Sequence, residues 1–152
     1  MTSINKILFP TDFSSSSDYG LHYATSLARD NEATLLIVHI EEPPAMYGGG
    51  EMYYGVPEPD TAALTTMLDQ VKPVDPQVRF EHRLVIGEPA HKIVEVAEEE
   101  GVDLIVMGTH GRTGLVRLLL GSVAEVVVRN ASCPVLTFKA PDKPKERVAG
   151  SQ

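Results

Sequence analysis

Two rhythms of apolar positions alternate along the chain. Ile4 to Phe9 is a short apolar run closed by Pro10, which reads as a buried strand. Thr11-Asp12-Phe13 and the serines Ser14 to Ser17 follow, with Asp18; their small oxygen-bearing side chains suit the unpaired N–H groups that open a helix. Leu21, Ala24 and Ala28 then recur at helical spacing, widened by Leu27, to about Asn31. Thr34 to Ile40 is a β-rich run without alternation, as expected of a strand covered on both faces in a parallel sheet.

From residue 41 to about 60 the rhythm stops. Pro43-Pro44, Gly48-Gly49-Gly50, Pro57 and Pro59 break any regular element, so a mobile loop carrying Tyr47, Tyr53 and Tyr54 is expected. A helix resumes near Asp60 and ends before Pro73. Val78 to Val85 alternates in part, as an edge strand covered on one face would. Gly87-Glu88-Pro89 opens a third helix, with Ala90, Ile93, Val94 and Ala97 as its buried face and Gly101 as its stop. Val102 to Met107 is a fourth strand, and Leu115 to Leu120 a short amphipathic turn. A last helix carries Val123, Ala124, Val127 and Val128, and Pro134 to Lys139 is the fifth strand. Residues 141–152 read as a disordered tail.

Strands alternating with helices predict one α/β domain over residues 1–140, a doubly wound, five-stranded parallel sheet with helices on both faces. In such a sheet ligands bind beyond the strand C-termini, where the strand order reverses. That rule points to the segments after strand 1 (Pro10 to Asp12), after strand 2 (from Ile40) and after strand 4 (from Gly108).

Charge narrows the ligand class. With 13 basic and 21 acidic residues in 152, the net charge of −8 argues against a nucleic-acid partner, which needs clustered cations. A small anion held by backbone N–H groups remains compatible. No run reaches the roughly 20 apolar residues of a membrane span. The start of the chain lacks a signal-peptide pattern, and a lone Cys133 fits a reducing compartment, so a cytoplasmic protein is expected.

The chemistry concentrates in Gly108-Thr109-His110-Gly111, the nine residues Arg112 to Leu120, then Gly121-Ser122. Glycine lets the backbone approach a phosphate closely, and a helix N-terminus adds unpaired N–H groups and about half a positive charge. Spacing alone leaves open a phosphate nest and a plain turn with a helix cap. Neither a P-loop lysine nor a Gly-x-Gly-x-x-Gly run follows strand 1. His110 lacks a carboxylate to orient it as a base, and Cys133 reads as a packing residue. His22, His39, His82 and His91 show no metal-ligand spacing, and His39 reads as a satisfied core imidazole. Asp12 either caps the first helix or faces a ligand. Glu98-Glu99-Glu100 reads as a solvated helix end, although it lies at the unfavourable pole of the helix dipole.

Gly108, Gly111, Gly121 and Ser122 fit Gly-x2-Gly-x9-Gly-Ser without gap, and Ile7-Leu8-Phe9-Pro10-Thr11-Asp12-Phe13-Ser14 and Cys133-Pro134-Val135-Leu136 are equally typical. On these residues, from Ile4 to Lys139, the chain resembles the universal stress protein family, in its ATP-binding branch. The resemblance implies a Rossmann-like fold and an adenine nucleotide (ATP, or AMP or ADP) in the crevice, with a regulatory or sensing role in stress. It implies that Pro10, Thr11 and Asp12 flank ribose and adenine, Asp12 facing ribose hydroxyls or a phosphate-bound metal. Ile40 would meet the adenine edge through its backbone. Met107 and Gly108 would lie beside the ribose. Gly111, Gly121, Ser122 and Val123 would receive the phosphates, with Arg112 and Thr113 adding contacts. It also implies a homodimer joined along residues 134–139. Two alternatives stand beside this: a slow ATPase with Mg²⁺ or Mn²⁺ on the phosphates, and a nucleotide-independent dimeric interaction module. The missing P-loop lysine argues against efficient turnover.

Overall fold

The computed structural model describes residues 3–43, 59–109 and 121–141. Residues 44–58 of the expected loop, with Tyr47, Tyr53 and Tyr54, the Leu115 to Leu120 turn and all but the first residue of the tail lie outside the described residues.

Five strands and four helices alternate in chain order: β1 Lys6–Pro10, α1 Ser15–Asn31, β2 Thr34–Glu41, α2 Thr61–Asp69, β3 Phe80–Ile86, α3 Pro89–Glu99, β4 Leu104–Gly108, α4 Ser122–Asn130 and β5 Val135–Phe138. The strands form one sheet in the order β3-β2-β1-β4-β5, and every pairing is parallel. The chain therefore winds outward from β1 to β3, then returns across β1 to lay down β4 and β5. The reversal between β1 and β4 is the switch point expected of this topology.

The two-sided burial of the central strands divides the core. Ile7, Phe9, Leu35, Ile37, Leu104 and Val106 face Leu21, Ala24 and Ala28 of α1 and Leu68 of α2. Leu8, Leu36, Val38, Ile105 and Met107 face Ala90, Ile93, Val96 and Ala97 of α3, with Ala124 and Val127 of α4. Burying each such large aliphatic side chain stabilises the fold by roughly 1.5–3 kcal/mol. On α3 the buried face differs by one position from expectation: Val96 is 1% exposed, whereas Val94 is only partly covered. The i+3 step from Ile93, rather than the adjacent residue, points into the groove between the helix and the sheet.

Three helices begin with a side-chain cap. Ser14 accepts from the Ser17 N–H, Asp60 from Ala63 N–H, and Glu88 from the N–H groups of Ala90 and His91. The acidic end of α3 has a structural explanation that the sequence left open. Glu100 accepts from Lys6 Nζ at 2.7 Å and from Arg83 at 3.1 Å, and Glu99 accepts from Arg83 at 2.7 Å. These contacts tie β1, β3 and α3 together and offset the unfavourable placement at the helix dipole. Cys133 is half-buried and packs at the margin of the α3–α4 core; burial pushes its thiol above the usual value. Among the described residues, no helix is long and apolar enough to cross a membrane.

Candidate functional site

The parallel sheet carries the C-terminal ends of β1, β2 and β4 to one edge. Pro10, Thr11 and Asp12 leave β1 there, Ile40 lies near the end of β2, and Met107 and Gly108 close β4. Gly121, Ser122 and Val123 open α4 at the same edge, because the Gly121 N–H donates to the Thr109 carbonyl at 2.7 Å. Thr109 in turn donates its N–H to the Phe138 carbonyl at 2.8 Å, fixing the start of this loop to β5. Gly111, Arg112 and Thr113, with His110, lie outside the described residues. The Met107 side chain is buried in the α3–α4 core, so any ligand contact from that position falls to its backbone, whereas Val123 packs at the margin of the same core and is only partly covered.

The segment after β1 is built by short-range hydrogen bonds. Thr11 is buried, its N–H donates to the Val38 carbonyl at 2.8 Å, and its hydroxyl accepts from the Phe13 N–H at 3.1 Å. Asp12 Oδ1 accepts from the Ser14 N–H at 2.9 Å and from the Ser17 hydroxyl at 2.7 Å. The Asp12 N–H donates to Ser17 Oγ at 3.2 Å. Asp12 thus supports the start of α1, while Ser14 is the formal cap. Phe13 sits at φ 65°, a conformation that costs a non-glycine residue about 1–2 kcal/mol and persists only where its surroundings enforce it.

His39 packs against this residue, and its place was only half legible in sequence. Its ring is 2% exposed and lies 4.3 Å from the Phe13 ring, centroid to centroid. His39 Nδ1 is 2.8 Å from the Thr11 carbonyl oxygen and Nε2 is 2.7 Å from Glu41 Oε2. The satisfied core imidazole expected from sequence is borne out. What the sequence did not show is that its partner is the loop bearing Asp12. The available signal was period two: His39 and Glu41 share one face of β2, with Ile40 between them.

The opening of α4 differs from the other helices. Its cap is Gly121, at φ −60° and ψ 159°, and no side chain among the described residues caps its first turn. A helix start without a side-chain acceptor presents N–H groups and dipole charge to an external anion. Among the described residues, no group of three or more His, Cys, Asp or Glu side chains is placed to hold a metal ion.

The sequence profile of the universal stress protein family matches residues 3–139. Universal stress protein MJ0531 of Methanocaldococcus jannaschii is 36% identical over 149 residues, covering 91% of this chain and 84% of that protein. The solved structure of hypothetical protein MJ0577 from the same organism aligns with a TM-score of 0.74 at 30% identity, over 93% of this chain and 100% of that one. A universal stress protein solved in complex with cAMP aligns with a TM-score of 0.68 at 26% identity, over 91% and 98% of the two chains. These likenesses run over nearly the whole chain and agree with its parallel sheet reversing between β1 and β4, so the protein belongs to the universal stress protein family.

Proposed function

We propose that this chain binds an adenine nucleotide, ATP in the first instance, in the crevice at the C-terminal ends of β1, β2 and β4, and acts as a cytoplasmic regulator or sensor. The observation that carries the reading is the start of α4. The cap residues of the other three helices bond the first turn through their side chains, whereas at α4 the cap residue is Gly121 and no side-chain cap is made among the described residues. Phosphate oxygens are the natural acceptors at such a site. Gly121, Ser122 and Val123 would hold them, together with Gly111, Arg112 and Thr113. Asp12 would face the ribose, and the Ile40 backbone the adenine edge. The family relative solved with cAMP supports an adenine nucleotide as the ligand class. Mg²⁺ or Mn²⁺ would enter on the phosphates. The edge strand β5 is the proposed homodimer seam, since among the described residues β4 is its sole neighbour in this sheet.

Thermal unfolding with ATP tests the reading. Ligand at about 100 times its Kd adds about 2.7 kcal/mol to stability. For a chain of this size that corresponds to roughly 5–11 °C in Tm. Gly121→Val abolishes the shift, because its side chain enters phosphate space while φ −60° accommodates any residue. A wild-type melting curve unmoved by millimolar ATP overturns the proposal.

A further inference from the structure

The backbone on both sides of Asp12 is pinned. The peptide joining Thr11 to Asp12 is held at both of its polar atoms: its carbonyl oxygen lies 2.8 Å from His39 Nδ1, and its N–H donates to Ser17 Oγ at 3.2 Å. A trans peptide sends these two groups in opposite directions, so the two bonds together set its plane. On the other side of Asp12, the Phe13 N–H donates to the Thr11 hydroxyl at 3.1 Å. With the planes before and after it set, the φ and ψ of Asp12 are set, and with them the direction of its Cα–Cβ bond. The Thr11 and Ser17 side chains belong to this segment and the start of α1. His39, 28 residues beyond Thr11, ties the segment to β2.

We propose that His39 is a positioning residue for the nucleotide: by donating to the Thr11 carbonyl it sets the peptide plane that aims the Asp12 side chain into the crevice. This rests on the nucleotide reading above, in which Asp12 faces the ribose, and names the buried residue on which that contact depends. The carbonyl can only accept, so Nδ1 carries the hydrogen of this bond. The imidazole itself is buried, with the Phe13 ring 4.3 Å away and Glu41 Oε2 2.7 Å from Nε2, so its donor stays aimed at Thr11. Thr11 is buried too, and removing the donor leaves its carbonyl oxygen without a partner, a cost that is relieved when the peptide turns. That turn carries the Asp12 Cβ with it, and the carboxyl group shifts from the place where Ser14 N–H and the Ser17 hydroxyl now hold its Oδ1. Affinity for the ligand falls although His39 acts only through Thr11 and Asp12.

A double-mutant cycle separates positioning from packing. His39→Phe keeps a ring beside Phe13 and removes the donor, whereas His39→Asn keeps an N–H donor near the place of Nδ1 and removes the ring. ATP affinity is measured by titration calorimetry for the wild type, these two variants, Asp12→Ala and the Asp12→Ala/His39→Phe pair, at a temperature where circular dichroism shows each folded. His39→Phe is expected to weaken ATP binding about tenfold, within the range for groups in one hydrogen-bond network. His39→Asn is expected to recover most of that loss. With Asp12→Ala in place no carboxyl group remains to be aimed, and adding His39→Phe is expected to change affinity by less than about twofold. A packing role alone predicts the same loss in both backgrounds. That result, wild-type affinity in His39→Phe, or His39→Asn as weak as His39→Phe, overturns the positioning role and leaves nucleotide binding standing. A wild type that does not bind ATP overturns the nucleotide reading and the positioning role with it. Long-range ¹H–¹⁵N spectra of the wild-type imidazole give a check that needs neither ligand nor variant. Nδ1 is expected to be protonated, and a ring protonated at Nε2 alone overturns the proposal, because it has no hydrogen to donate to Thr11.

Discussion

The ring of Phe138 occupies the space into which a side chain on Gly20 would project: a Cβ built on Gly20 would lie 2.0 Å from Phe138 Cζ. The buried Gly20 is what lets α1 approach β5, and Tyr19 packs against the same ring at 5.9 Å. This contact sits beside the edge strand proposed as the dimer seam, so the geometry of that edge depends on one missing methyl group.

Gly20→Ala is therefore expected to destabilise, although alanine is the better helix former by about 1 kcal/mol. Overpacking against an aromatic ring costs roughly 1–3 kcal/mol, and the overlap here is severe. The expected outcome is a Tm lowered by several degrees, about 2–4 °C per kcal/mol. Adding Phe138→Leu should restore much of the loss; a Gly20→Ala protein that melts above the wild type would refute the assigned contact.

Asp12 separates support from binding. Asp12→Ala removes the acceptor for Ser14 and Ser17, and loss of such a helix-start interaction costs about 0.5–2 kcal/mol. Asp12→Asn keeps an oxygen at the Oδ1 position and should melt close to the wild type. If Asp12 also faces ribose, the Asn variant still loses ATP affinity, measurable by calorimetry. Equal ATP affinity in the Asn variant and the wild type would confine Asp12 to its structural role.

The Glu100 carboxyl should register in the acid limb of stability. The hydrogen bond from Lys6, and the positive charges of Lys6 and Arg83, hold it below its ordinary value. A carboxylate with a depressed folded-state pKa contributes above its unfolded pKa, about 4.3, and the contribution is lost as pH falls through the lower folded value. Glu100→Gln should thus be less stable than the wild type at neutral pH, by up to about 1 kcal/mol for so solvent-accessible a pair. Urea unfolding is expected to show the difference closing at about pH 3 and below. A gap that widens on acidification would contradict the network.

The chain's own pattern determined a great deal. Continuous apolar runs such as Thr34 to Ile40, set against the helical stripe of Leu21, Ala24 and Ala28, specify buried parallel strands between helices, because period and flanking turn residues are local properties. The family resemblance on Gly108, Gly111, Gly121 and Ser122 was equally legible, and so was the segment bearing Asp12. Tertiary structure alone decided which distant groups meet. Glu100 looked like a misplaced acid until the sheet brought Lys6, 94 residues away in sequence, within 2.7 Å of it. His39 looked like an ordinary core histidine until the parallel pairing of β1 and β2 set the Thr11 carbonyl beside its Nδ1. Sequence periodicity shows which way a side chain faces, but a hydrogen bond needs its partner's position as well. That position follows from strand order and register, which no local pattern encodes.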